Sequence, residues 1–179
     1  MNYRRRMSTW PGPRSRDGGI DPVPLPIDSG ALSLCGKHAI GPDHAGALER
    51  AGATTVVCLV EAHELDDRYP EYLAWLHEHR GHDAVWLPVH DLHAPSLDRA
   101  LPFLDDLVVR LLRGEGLLMH CGAGIGRAGT MATCLLVELG VPAQEALALV
   151  AASRPMAGPE VGSQLDLVNE LAAHRAAHP

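Results

Sequence analysis

Two residues with the chemistry of a nucleophile and an anion receptor, Cys121 and Arg127, are separated by the five residues Gly-Ala-Gly-Ile-Gly. Consecutive backbone N–H groups at the start of a helix bind anions, and glycines let that backbone approach a ligand closely. An arginine there offers a planar fork of donors that matches two phosphate oxygens. A cysteine in the same positive field is favoured as the thiolate, its nucleophilic form. The pattern therefore predicts a loop that holds a phosphate above a reactive sulfur.

The loop lies between a strand-like run and a helix-like run. The apolar residues 117–119 precede His120 and Cys121, and the apolar run 131–139 follows Arg127. The backbone N–H groups expected to hold the phosphate, alongside the Arg127 side chain, are those of Gly122, Ala123, Gly124, Ile125 and Gly126. Strand, glycine-rich loop and helix in this order predict that the phosphate site faces the helix N-terminus.

Strand-like and helix-like segments alternate along the rest of the chain. Strands are expected within 30–36, 54–60 and 83–89, and helices within 43–50, 61–79, 97–112, 143–152 and 159–174. This alternation predicts an α/β fold with a mostly parallel central sheet and helices on both faces. Ligands of such sheets bind beyond the carboxyl ends of the strands, where the glycine-rich loop lies.

Composition limits the classes of function. The chain has 179 residues and a net charge of -7, so it has no general attraction for nucleic acid or anionic membrane. No apolar run of about 18 residues is present, and no apolar segment follows the early arginines, so a cytoplasmic protein is expected. Residues 1–26 are basic and rich in Pro and Gly, which predicts an arm ahead of a catalytic domain at 27–179. Neither the four cysteines nor the eleven histidines show metal-ligand spacing, so no metal is expected.

The run from His120 to Arg127 resembles the signature loop of the cysteine-dependent protein phosphatases, which reads His-Cys, two residues, Gly, two residues, Arg. The similarity extends from about Gly30 to Leu171 and looks closest to the small dual-specificity branch, of the atypical, kinase-associated-phosphatase-like kind. The resemblance implies that Cys121 attacks phosphorus and forms a thiophosphate, which water then hydrolyses. It also implies that no cofactor is needed, and that the partner is a phosphorylated protein or a small phosphate ester.

The family also implies a general acid in a mobile loop upstream of the cysteine. Asp91 fits the offset and the loop context, and it would protonate the leaving oxygen and then activate water. Two alternatives remain. Asp91 could be a loop aspartate that merely faces water, and Asp98 is a second candidate acid, although it is expected in the first turn of the next helix.

Other residues follow from the same resemblance. His120 would orient the loop and help to keep the thiol ionised, or it could be only a core histidine. Gln164 resembles a glutamine that orients the attacking water, the alternative being a surface residue of a helix. The residue after the arginine is usually Ser or Thr, but here it is Ala128, which predicts slow breakdown of the thiophosphate unless Thr130 compensates.

Two further residues have expected roles near the loop. Some relatives protect the nucleophile by a disulfide from the neighbouring strand, a role that Cys58 could take. The alternative for Cys58 is a small buried hydrophobic residue. Arg154 is expected to brace the loop rather than to bind substrate.

Four functions remain open from the sequence. The first is a phosphatase acting on phosphotyrosine and also on phosphoserine or phosphothreonine, and the second is a phosphate-binding pseudophosphatase that turns over little. A sulfurtransferase with a cysteine loop is disfavoured by the upstream acid and by the His-Cys start. A phosphatase of inositol phosphates is disfavoured because the loop has no lysine for additional phosphates.

Overall fold

A five-stranded sheet forms the centre of the structure, a computed structural model that describes residues 19–178. Its strand order is β1-β2-β5-β3-β4, and β1 alone pairs antiparallel with its neighbour. The strands are β1 (Ile20–Val23), β2 (Ala31–Gly36), β3 (Thr55–Cys58), β4 (Ala84–Trp86) and β5 (Gly116–Cys121). The expected mostly parallel α/β sheet is therefore confirmed.

Helices connect the parallel strands and cover the sheet. In the described part of the chain they are α1 (Lys37–Ile40), α2 (His44–Ala51), α3 (Pro70–His79), α4 (Leu97–Leu112), α5 (Gly126–Glu138), α6 (Ala143–Ser153) and α7 (Gly162–Ala177). The segment 61–79 was predicted as helical, with Pro70 as a candidate break, and the structure has a short 3-10 turn, Ala62–Glu64, followed by α3, which begins at Pro70. Pro70 accounts for the break, since proline is suited to the first position of a helix and not to its interior. None of the helices in residues 19–178 is long and apolar enough to cross a bilayer.

Strand β5 is the buried middle strand of the sheet, and it ends in Cys121, the predicted nucleophile. All six of its residues are buried, and Met119 lies between Leu34 of β2 and Val57 of β3 in the parallel register. A strand covered on both faces needs an uninterrupted apolar run, which residues 117–119 supply. Cys121 is the last residue of this strand and so lies at the carboxyl edge of the sheet.

Helix α5 fixes the other end of the loop. Its residues are buried from Gly126 to Val137, and it packs against α4, α6 and α7. A Cβ on Gly129 would lie 2.2 Å from the backbone nitrogen of Gly158, so only glycine lets the α6–α7 turn cross the helix this closely. The start of α5 is therefore held between the core and that turn.

The N-terminal boundary of the domain differs from the prediction. An arm was expected through residue 26, but Ile20–Val23 is an edge strand of the sheet, with Val23 opposite Leu32. The alternation of apolar and polar residues that marks a strand was hard to see there because Pro22 interrupts it. Proline is nevertheless tolerated on an edge strand. The remainder of the predicted arm, residues 1–18, lies outside the described residues.

Candidate active site

The backbone of the loop after Cys121 is turned so that its amides face one way and its carbonyls the other. Three of its carbonyl oxygens accept hydrogen bonds from surrounding elements. These bonds are Lys37 N to Gly122 O at 3.0 Å, Arg154 Nη2 to Ala123 O at 2.8 Å and Gly158 N to Ile125 O at 3.1 Å. In a trans peptide the C=O and the following N–H point in opposite directions. Each carbonyl held outward therefore directs the next amide to the inner side of the loop.

Gly124 lets this loop rest on the end of β2. Its φ is +74°, and a Cβ there would lie 2.3 Å from the carbonyl oxygen of Cys35. Any other residue would suffer both left-handed strain and a clash with backbone. Gly126 is less constrained, because a Cβ at that position would meet only the side chain of Glu160, which is exposed and can move aside.

Arg127 is held by the carboxylate of Glu64, which lies in the turn after the neighbouring strand β3. Its Nη1 and Nη2 donate to Glu64 Oε1 and Oε2 at 2.6 and 2.9 Å, and Nη1 also donates to Val89 O at 2.9 Å. Its Nε is buried and has no hydrogen-bond partner among the described residues. The end-on pair thus fixes the guanidinium while leaving its Nε edge as an orphaned donor, which fits an oxyanion ligand.

Glu64 was not found from the sequence. It lies in the 3-10 turn after β3, next to the strand that carries Cys121, and only that position could have suggested it. Burial is the largest single influence and opposes ionisation, but the hydrogen bonds from Arg127 and from the N–H of Glu61, together with the charges of Arg127 and Lys37, outweigh it. The pKa of Glu64 therefore lies below its ordinary value. Arg127 is likewise opposed by burial, yet Glu64, Cys121 and Asp91 raise its pKa. The pair therefore stays ionised at neutral pH.

Asp91 stands at the mouth of the site. Its Oδ1 is 3.3 Å from Arg127 Nη2, while 68% of its side chain is exposed. The structure thus brings the predicted acid to the predicted arginine. Asp98 lies in the first turn of α4, as expected for that alternative. Among the described residues, the carboxylates paired with Arg127 are those of Glu64 and Asp91 and not that of Asp98.

His120 is fully buried beneath the loop. Its Nδ1 lies 3.4 Å from the carbonyl oxygen of Cys121, and its Nε2 lies 2.6 Å from the hydroxyl of Tyr72. Since a carbonyl only accepts, Nδ1 carries the proton and Nε2 accepts from Tyr72. Burial and the nearby Arg127 lower the pKa of His120 to about 4, so the ring is neutral. Tyr72, on α3, was not anticipated from the sequence.

Gln164 is not a surface glutamine, because it has no solvent exposure. Its Oε1 accepts from Glu160 N at 2.8 Å, and its Nε2 donates to His93 O at 3.2 Å. It therefore ties the loop that carries Asp91 to the turn before α7. The role of Gln164 in orienting water stays a prediction.

Ala128 and Thr130 both lie in the buried first turns of α5. Ala128 has no hydroxyl to offer. Thr130 Oγ1 has no hydrogen-bond partner within residues 19–178, although Thr133 on the same helix bonds to the carbonyl of Gly129 at 2.8 Å. The unbonded hydroxyl lies beside Arg127 and the segment 93–95. Its compensating role stays a prediction.

Cys58 lies next to the site but is completely buried. It is opposite His120 in the register of β3 and β5, one residue from the strand position of Cys121. Burial raises the pKa of the Cys58 thiol, which keeps it protonated. Neither Cys58 nor Cys121 forms a disulfide in the structure. The disulfide with Cys121 stays a prediction.

Comparisons with known proteins point to phosphatases. The family model described as "Swiss Army Knife protein, DSP-PTPase phosphatase domain" (PTP-SAK) matches residues 29–175. Dual specificity protein phosphatase 22-B of Danio rerio is 42% identical over 57 residues, which span only 31% of this chain and 31% of that protein. Tk-PTP in its active form is 30% identical with a TM-score of 0.63, covering 82% of this chain and 93% of that one.

A structure of kinase associated phosphatase (KAP), with serine in place of its catalytic cysteine, has a TM-score of 0.72. It is 20% identical and covers 90% of this chain and 97% of that chain, so the likeness is one of fold.

Replacing Glu64 by Gln tests the end-on ion pair. A glutamine amide has only one oxygen to accept from Arg127 and no longer fixes the guanidinium end-on, so we expect tungstate binding to weaken by about tenfold, even though a negative charge is removed. The pKa of Glu64 is depressed in the folded state, so its stabilisation is present at neutral pH and is lost as pH falls through that pKa. The free energy of unfolding should therefore fall less steeply with acidification in E64Q than in the wild type.

Urea denaturation across the acid range and calorimetric titration with tungstate measure these two effects. Glu115→Gln is the matched control, because Glu115 also accepts from an arginine, Arg110 Nη1 at 3.1 Å, but at the amino end of β5. Equal effects of the two substitutions would contradict the assignment.

Proposed function

This chain belongs to the PTP-SAK family of DSP-PTPase phosphatase domains, in the small atypical dual-specificity branch, and we propose that it is an active protein phosphatase. Its primary substrate is phosphotyrosine in proteins, with phosphoserine and phosphothreonine as further substrates, and it acts through a cysteinyl-phosphate. The observation that carries the proposal is the arrangement of Arg127: its guanidinium is fixed end-on by Glu64, its Nη2 lies against Gly122 of the loop that begins at Cys121, and its Nε is buried without a partner among the described residues.

In the first step, the thiolate of Cys121 attacks phosphorus in line with the ester oxygen. The S–P bond forms as the P–O bond to the substrate breaks, and Asp91 gives its proton to the departing oxygen. The inward amides of the loop and the Nε edge of Arg127 hold the three equatorial oxygens, whose charge is stabilised without any rearrangement of the protein. Asp91 suits its role because it is solvent-accessible yet 3.3 Å from Arg127.

In the second step, water attacks the cysteinyl-phosphate and gives a proton to the carboxylate of Asp91. The P–O bond to water forms as the S–P bond breaks, which returns the thiolate and inorganic phosphate. Gln164 holds the loop of Asp91 through His93 O, so it supports this step through position. Ala128 offers no hydroxyl to the departing thiolate, and this step is therefore the slow one.

The requirement for a free thiol supports a place in the reducing cytoplasm. The negative net charge of -7 agrees with a protein substrate rather than nucleic acid or an anionic membrane as partner.

A pseudophosphatase is the second candidate, and Ala128 is the observation that favours it. If the cysteinyl-phosphate did not break down, the chain would bind or trap phosphoproteins instead of turning them over. The two candidates differ in turnover alone, so one assay separates them.

Catalytic turnover is tested with p-nitrophenyl phosphate and with matched phosphotyrosine, phosphoserine and phosphothreonine peptides. We expect multiple turnovers, fastest on phosphotyrosine, and complete loss in Cys121→Ser, which removes the nucleophile but leaves the loop. Release of no more than one equivalent of product by the wild type would establish the pseudophosphatase instead. Hydrolysis of inositol phosphates but not of peptides would overturn the assignment of the substrate class.

The general acid is tested by leaving-group dependence. In Asp91→Asn the rate of the attack step, measured as kcat/KM, should fall by about 10²–10⁴-fold with phenyl phosphate, the usual contribution of a general acid. The comparison uses kcat/KM and not kcat, because breakdown of the cysteinyl-phosphate is the same step for both substrates. The rate with p-nitrophenyl phosphate should fall much less, because that leaving group departs without a proton. Asp98→Asn, also an exposed aspartate, serves as control and should change neither rate. Equal losses on both substrates in D91N would refute the role of Asp91.

The slow second step is tested by rapid mixing. With p-nitrophenyl phosphate we expect a burst of close to one equivalent of p-nitrophenol, followed by a slower steady state. Ala128→Ser should raise the steady-state rate and shrink the burst. Ala132→Ser places the same hydroxyl one turn later in α5, at another fully buried alanine, and should leave the burst unchanged. A linear time course in the wild type would count against slow breakdown.

A further inference from the structure

The edge strand β1 reaches the phosphate loop through a single arginine. Asp21 is in β1, opposite Leu34 of β2, and it precedes the family match, which begins at residue 29. Arg154 ends α6 and is 3% exposed. Its Nη1 donates to Asp21 Oδ2 at 2.6 Å and to Gly19 O at 3.3 Å, while its Nη2 donates to Ala123 O at 2.8 Å. One guanidinium therefore joins the strand to the loop.

The bond to Ala123 differs in kind from the other two carbonyl bonds of the loop. The carbonyls of Gly122 and Ile125 are held by backbone N–H groups, whose positions are fixed by the elements around them. The carbonyl of Ala123 is held by the end of a long side chain with several rotatable bonds. Ordering such a side chain costs conformational entropy, so its direction must be set by further contacts.

The carbonyl of Ala123 also decides where an amide points. Because the peptide unit is planar and trans, holding this oxygen outward directs the N–H of Gly124 to the inner side of the loop. Gly124 has a φ of +74° and no side chain to resist rotation of that peptide. The peptide between Ala123 and Gly124 is therefore the unit of the loop whose orientation depends most on an outside contact.

A carboxylate stabilises the Nη1 side of Arg154, which points away from Ala123. A buried guanidinium is unfavourable unless an opposite charge and hydrogen bonds satisfy it. Asp21, whose side chain is 19% exposed, supplies both at the end of Arg154 remote from the loop. Asp21 thus draws Nη1 toward β1 and leaves Nη2 aimed at Ala123.

We propose that Asp21 is a positioning residue for the phosphate loop: through Arg154 it holds the Ala123–Gly124 peptide with its N–H facing the bound oxyanion. The proposal rests on the proposed function for the identity of that oxyanion as a phosphoryl group. It extends the functional unit beyond the family match to the edge strand, which touches neither Cys121 nor Arg127 in the sheet.

The test is Asp21→Asn, which keeps the size of the side chain and removes the charge. We expect the Kd for tungstate, measured by calorimetry, to rise by about tenfold, the loss of one aligned amide donor. In steady-state kinetics with p-nitrophenyl phosphate, kcat/KM should fall by a similar factor, and kcat should fall as well because the same amide serves breakdown of the cysteinyl-phosphate. Asp21→Glu retains the charge and should recover most of the tungstate affinity.

Glu115→Gln is the matched control for lost stability. Glu115 also accepts from an arginine, Arg110 Nη1 at 3.1 Å, but at the opposite, amino end of β5. Both substitutions break an ion pair and should lower the free energy of unfolding, yet only Asp21→Asn should weaken tungstate binding. Unchanged tungstate affinity in D21N, or equal weakening in E115Q, would overturn the proposal.

The proposal can still be tested if D21N does not fold or if the wild type proves inactive. If D21N does not fold, Arg154→Lys carries the test, because a single ammonium lacks the fork that joins Asp21 to Ala123: weaker tungstate binding with intact stability supports positioning, and wild-type affinity refutes it. If the wild type binds tungstate but hydrolyses no phosphate ester, the proposed function fails while the tungstate comparison still judges Asp21.

Discussion

The loop between Cys121 and Arg127 can hold an anion only because its carbonyl oxygens are turned away from it. A backbone has as many acceptors as donors, so a cradle of amides exists only where something else binds the carbonyls. Here that task falls to α1, to Arg154 and to the α6–α7 turn, which are distant in sequence and meet at the carboxyl edge of the sheet. The parallel sheet and the packing of α5 matter to function because they bring these three donors together.

Net charge at the site does not by itself favour a phosphate dianion. The positive charge of Arg127 is balanced by Glu64, and Asp91 adds a further carboxylate at the mouth. Lys37 brings one more cation, although its ammonium group is bonded to the carbonyl of Glu64 at 2.9 Å. Binding must therefore rely on aligned amides, the start of α5 and the unpaired Nε of Arg127, all of which act at short range. This is why the orientation of a single peptide is expected to have measurable consequences.

The sequence predicted the features that depend on residues close together in the chain. Cys121, Arg127 and the glycines between them are close in the chain, and the strand and helix around them follow from apolar runs. Asp91 was predicted from the resemblance, and the structure places it beside Arg127. Glu64, Tyr72 and Asp21 were not predicted, because their partners lie 63, 48 and 133 residues away and many surface-type residues could have filled such roles. Gln164 was placed near the site, but a helical pattern cannot distinguish a buried glutamine from an exposed one when its partners are backbone groups.

In the proposed mechanism, the described contacts serve attack on phosphorus better than release of the thiolate. His120 and Tyr72 fix the backbone of the nucleophile, and Glu64 fixes the arginine, all before any substrate arrives. Release requires stabilisation of a departing thiolate, and the residue after the arginine, Ala128, offers none. The nearest orphaned hydroxyl, on Thr130, adjoins Arg127 and the acid loop. Stabilisation of the thiolate is thus left to the inward amides and to the charge of Arg127, the same groups that hold the phosphoryl oxygens. One set of donors then serves both steps, so a looser loop would slow release as well as weaken binding.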